Sequence, residues 1–129
     1  MITLEEYFGP KSHTAAQADA ADDLLARVNA LILESGMRLA IDADTGTQIS
    51  GVKGGSGSGG FRLAMEAGAP KSAHKEARAV DVFDPFGALD RWITDEVLEK
   101  HGLWREDPPY TPSWVHLQTR PATRRTFEP

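Results

Sequence analysis

The sequence predicts an α+β fold, a small antiparallel sheet with flanking helices. Three observations carry that reading. A capped, helix-periodic segment opens at Thr14. Two distant stretches, "ARAVDVF" and "SWVHLQT", alternate apolar and polar residues. Helices and short strands follow one another without βαβ regularity. A chain of 129 residues fits one domain, 1–129, with a core that needs no covalent staples.

The first helix begins at "TAAQ", a capping box in which the Thr14 hydroxyl accepts from the Gln17 amide and the Gln17 side chain reaches back. Leu24, Val28, Leu31 and Ile32 recur at helical spacing, Asp19, Asp22, Asp23 and Arg27 supply the wet face, and Gly36 is the stop. "MRLAIDA" (37–43) reads as a strand and "TQISGV" (47–52) as a shorter one. "GVKGGSGSGG" reads as a flexible loop: it lacks the Gly-Lys-Ser/Thr ending of a phosphate cradle, and no helix pattern follows it. "ARAVDVF" (77–83) is a partly buried strand, and Asp84-Pro85 opens a second amphipathic helix through Leu89, Trp92, Ile93 and Val97, closed near Gly102. "EDPPYTPS" is a turn-rich loop, and "SWVHLQT" (113–119) is the last strand.

Bulk properties narrow the function. There is no cysteine, so any metal must be held by His, Asp or Glu. A net charge of -5 argues against nucleic acid, and Arg120, Arg124 and Arg125 read as a solvated tail. No apolar run is long enough for a membrane span, and "MITLEEYFGPKSH" lacks the pattern of a secretory signal.

A hydrolytic zinc site needs three protein ligands and one open position. His74, Asp81 and His116 offer two neutral imidazoles and one carboxylate. With zinc they leave a charge of about +1, enough to acidify a bound water. His74 is an odd offset from Asp81, so it must lie in a loop curling back over the strand. Asp81 and His116 face each other if their strands are neighbours, with Trp114 and Gln118 on the same face. By spacing alone a solvated or core histidine and a turn-forming aspartate explain the same residues, so both readings stand at this point.

The arrangement S-x-H, H-x6-D and a distant W-x-H resembles the M15 family of zinc peptidases, which cleave D-alanyl-D-alanine or L-alanyl-D-glutamate bonds. The family pattern S-x-H-x-x-G-x-A-x-D is matched by Ser72, His74, Ala79 and Asp81, with Ala77 at the glycine, a departure tolerable if the backbone there has an ordinary negative φ. "GGFR" resembles the upstream G-[YF]-R segment, and "TPSWVHLQTRP" with "TFEP" resembles compact phage and prophage members. The resemblance implies the M15 peptidase-like (Hedgehog/D-Ala-D-Ala peptidase-like) fold and Zn2+ on His74, Asp81 and His116. It also implies Arg62 and Ser72 near a peptidoglycan stem-peptide substrate, Arg62 facing its carboxylate. Three residues before the last ligand the family carries an acidic base, and this chain has Ser113. Glu106 and Asp107, a short loop away, are the candidate replacements, with Asp107 slightly favoured and Glu76 a further option.

On this reading the protein is a monomeric phage-type wall peptidase, without nucleic-acid or membrane partners, held in the cytoplasm until lysis or carried in the virion. The alternative is a non-catalytic zinc-containing wall-binding or virion domain, which Ser113 would suit. A serine hydrolase is disfavoured because no G-x-S-x-G elbow is present. His13 and His101 carry no motif, and His101 suits a helix C-terminus.

Overall fold

A computed structural model describes residues 1–36, 51–52, 59–66, 68 and 71–129. Helices α1 (Leu4–Phe8) and α2 (Ala15–Ser35) come first, and a 3₁₀ turn (Ala73–Glu76) leads into β1 (Ala79–Phe83). Helices α3 (Ala88–Trp92) and α4 (Asp95–His101) precede β2 (Trp104–Glu106), a second 3₁₀ turn (Pro108–Tyr110), β3 (Trp114–Gln118) and β4 (Thr126–Phe127). The architecture is α+β, four short strands with flanking helices.

The capping box at Thr14 and Gln17 is formed in full, and Gly36 ends α2 in the left-handed conformation. Leu24, Val28, Leu31 and Ile32 are buried. At roughly 1.5–3 kcal/mol for each large apolar side chain removed from water, that stripe outweighs helix propensity in fixing α2. It packs against α1, α3 and α4, while α3 touches β3 and α4 touches β2. The Tyr7 hydroxyl, fully buried, donates to the Ala79 carbonyl at 2.8 Å and ties α1 to β1.

The sheet is mixed, not antiparallel throughout, in the order β1-β3-β2-β4. β3 runs antiparallel to β1 and β2, and β4 runs parallel to β2. The cause is topological. After β3 the chain reverses as a hairpin would, but both edges of β3 are taken, so the returning strand adds to the far side of β2. Side chains alternate across this sheet. Val80, Val82, Val115 and Leu117 enter the core, and Asp81, His116 and Gln118 take the opposite face.

The single helix expected over 85–102 is two helices. Ile93 is extended (φ -69°, ψ 129°), and the Thr94 hydroxyl accepts from Val97 N–H, starting α4 afresh. The helix begins later than expected, with Gly87 and not Asp84 as its N-cap, yet Asp84 serves its first turn. Its two carboxylate oxygens accept from the Leu89 and Asp90 amides at 3.1 and 3.0 Å. Residues 37–43 and most of 47–52 lie outside the described residues, and Val52 forms a bridge to Val82. Among the described residues no helix is long and apolar enough to cross a membrane.

Candidate metal centre

The site grows out of the β1–β3 pairing. Asp81 and His116 are direct cross-strand partners on one face of the sheet. His74 comes over that face from the 3₁₀ turn before β1, buried like the other two. Ser72 begins the turn, and its hydroxyl accepts from the His74 amide at 3.3 Å. The turn ends at Ala77, which adopts φ 58° and ψ 34°. The condition under which alanine is easily tolerated there, an ordinary negative φ, is therefore not met: this backbone is left-handed, the conformation a glycine adopts most easily.

One ligand atom from each of His74, Asp81 and His116 lies within 4.8 Å of the others. Asp81 Oδ1 is 3.3 Å from His74 Nε2 and 2.9 Å from His116 Nδ1. Its other oxygen, Oδ2, is 3.8 Å from the Arg62 guanidinium. The remaining ring nitrogens are committed outward. His74 Nδ1 is 3.0 Å from the Gly60 carbonyl and His116 Nε2 is 2.8 Å from Gln118 Oε1. Because both oxygens only accept, each neutral ring places its N–H on the outside and its lone pair on the inside. Two lone pairs and a carboxylate oxygen then converge, a set that repels itself unless a cation or a proton is shared among them. Two imidazoles and one carboxylate beside an open cleft could hold a divalent metal ion, and zinc is one that such donors suit.

The electrostatics agree. Burial by itself would raise the Asp81 carboxyl, but when a proton is what the three residues share, hydrogen bonds from His116 and His74 and the charge of the rings hold it well below the usual carboxylate range. For His116, burial opposes protonation, but the hydrogen bond and charge of Asp81, with help from Glu106 and Gln118, push it above its ordinary value.

The centre opens into a cleft of about 550 Å³ lined by Arg62, Ser72, Glu106, Trp114, Gln118 and Phe127 around the three candidate ligands. Arg62 arrives through "GGFR", in which every residue has a task. The Gly59 carbonyl accepts from Asp81 N–H at 2.8 Å, Gly60 orients His74, and Phe61 is buried beside Phe8. The Arg62 amide donates to the His74 carbonyl at 3.2 Å. The end of the glycine run, which reads as a flexible loop apart from its likeness to a G-[YF]-R segment, is thus part of the frame of the site.

The two candidate bases separate. Glu106 Oε1 lies 3.8 Å from His116 Nδ1, on the cleft face of β2. Asp107, one residue on, falls in a separate depression with Thr123 and Arg124. Of the two, Glu106 lines the cleft that holds the candidate ligands and Asp107 does not. Glu76 is taken by Arg120, at 2.8 Å, on the surface. The expected solvated tail is also revised: Arg120 lines the cleft, and Arg125 lies over the Trp104 ring at 4.0 Å.

Compared with known proteins, the chain shows no significant match to a family model, a curated protein or a solved structure.

Proposed function

We propose that the protein is a zinc-dependent peptidase acting on peptidoglycan stem peptides, of the M15 type that its motifs resemble. The observation that carries this reading is the convergence of His74, Asp81 and His116, with inward lone pairs, at the floor of an open cleft. Zinc bound there would supply Lewis-acid activation of a water and of the scissile carbonyl.

The remaining chemistry belongs to the chain. Glu106 takes a proton from the attacking water at its cleft-facing carboxylate and returns it to the leaving amine. Arg62 receives a stem-peptide carboxylate on its planar guanidinium, close enough to Asp81 to keep its own orientation. Trp114 and Phe127 give the cleft apolar walls against which a peptide backbone can lie and exclude water. Among the described residues three ligands converge rather than four, which favours an open catalytic position over a purely structural ion.

The test is digestion of purified peptidoglycan by zinc-reconstituted protein, with products read by mass spectrometry and a chelated control. Cleaved stem peptides that disappear with chelator are expected, and their masses name the bond. Glu106→Gln should lower kcat by roughly 10²–10⁴-fold while zinc binding is retained, and Asp107→Asn should change it little. A zinc-bound protein that cleaves no wall chemotype would instead leave a binding or virion role.

A further inference from the structure

Gln118 stands directly behind one of the candidate ligands, and nothing in the motif assigns it a task. It is buried, 4% exposed. Its Oε1 lies 2.8 Å from His116 Nε2, and its Nε2 donates to the Arg120 carbonyl at 2.7 Å. A backbone carbonyl accepts and never donates, so Arg120 fixes which end of the amide faces it. The amide must turn its NH₂ to Arg120 and its oxygen to His116. That oxygen in turn requires a hydrogen on His116 Nε2. The neutral ring then has one tautomer, with its lone pair on Nδ1, 2.9 Å from Asp81 Oδ1. A chain of two hydrogen bonds, Arg120 carbonyl to Gln118 amide to His116 ring, thus sets the direction of a lone pair at the centre.

We propose that Gln118 is a positioning residue that holds His116 in the Nε2–H tautomer, so that Nδ1 is the atom offered to a metal ion. The proposal rests on the metal-site reading above. It explains why a polar side chain is kept in a buried position of the central strand: both its amide oxygen and its amide nitrogen are used. It also separates the two rings. His74 is set by a backbone carbonyl, that of Gly60, which no side-chain substitution at Gly60 removes, whereas His116 depends on a replaceable side chain.

The test needs no activity. In the zinc-loaded wild type, two-dimensional proton–nitrogen spectra of the histidine rings should show His116 carrying its hydrogen on Nε2. Zinc affinity, measured by competition with a chromophoric chelator, should fall roughly 10–100-fold in Gln118→Leu, the range typical of lost outer partners of metal ligands. Gln118→Glu keeps an acceptor for His116 Nε2 but loses the bond to the Arg120 carbonyl, and should hold affinity closer to wild type than Gln118→Leu does. Circular dichroism confirms that each variant is folded, and the wild-type spectrum decides the tautomer even if Gln118→Leu does not fold. A ring hydrogen on Nδ1, or Gln118→Leu binding zinc within twofold of wild type, would overturn the role of Gln118 while leaving the metal centre standing. A wild type that takes up no zinc would overturn the centre, and this role with it.

Discussion

Ala77 sits at φ 58° with its methyl fully buried, between the turn that carries His74 and the strand that carries Asp81. Left-handed backbone costs an L-residue about 1–2 kcal/mol. Glycine would remove that cost. It would also lose about 0.8 kcal/mol of methyl burial and about 0.4–1 kcal/mol through the freer unfolded chain. These terms nearly cancel, so Ala77→Gly should change unfolding free energy by less than about 1 kcal/mol. Ala77→Val adds a branched Cβ to the same strained backbone and overfills a closed site, and should cost about 2 kcal/mol or more in denaturant melts. The same residue shows where sequence reading stops. His74, Asp81 and His116 were legible from spacing and resemblance, but the φ at 77 was not, because alanine at a glycine position fits either backbone.

Among the elements, α2 was fully legible, since its capping box, its period and its terminal glycine are all local. The interruption at Ile93 was less so: the apolar spacing runs on through it, and only the Thr94 cap breaks the register. β2 was missed because three residues with two charges carry no strand pattern, and pairing with β3 alone makes them a strand. That omission also explains the choice between acids. Once Arg105 pairs with Leu117 and points to the core side, where it bonds Asp90, strand parity puts Glu106 toward the cleft. Contact between α2 and α4 gives a pH prediction. Glu34 takes hydrogen bonds from Lys100 and from His101, the latter at 2.5 Å, and these lower its carboxyl pKa. A carboxylate with a depressed folded pKa stabilises above its unfolded value of about 4.3 and loses that contribution as pH falls through the folded one. Glu34→Gln should therefore lower Tm slightly at pH 7, with the difference fading as pH falls below about 4.3, gone once it passes the folded pKa, and shrinking in high salt.

At the scale of the whole molecule, His74 and Asp81 lie close in sequence, but His116 is 35 residues from Asp81 and joins them only when β1 pairs with β3. An ion that binds the folded chain and not the unfolded one stabilises it by mass action, about 2.7 kcal/mol at a free concentration one hundred times Kd. Zinc should accordingly raise Tm in a concentration-dependent way, chelator should reverse the rise, and Asp81→Asn should abolish it, all readable by calorimetry. The Asp81–His116 register has a further consequence. An ion gripping both residues acts as a reversible cross-link, closing a loop that contains α3, α4 and β2. A permanent link across a loop of that length would remove about 4 kcal/mol of chain entropy from the unfolded state. Metal occupancy would then govern how long the intervening helices and strand stay closed, as well as the chemistry on the face above them.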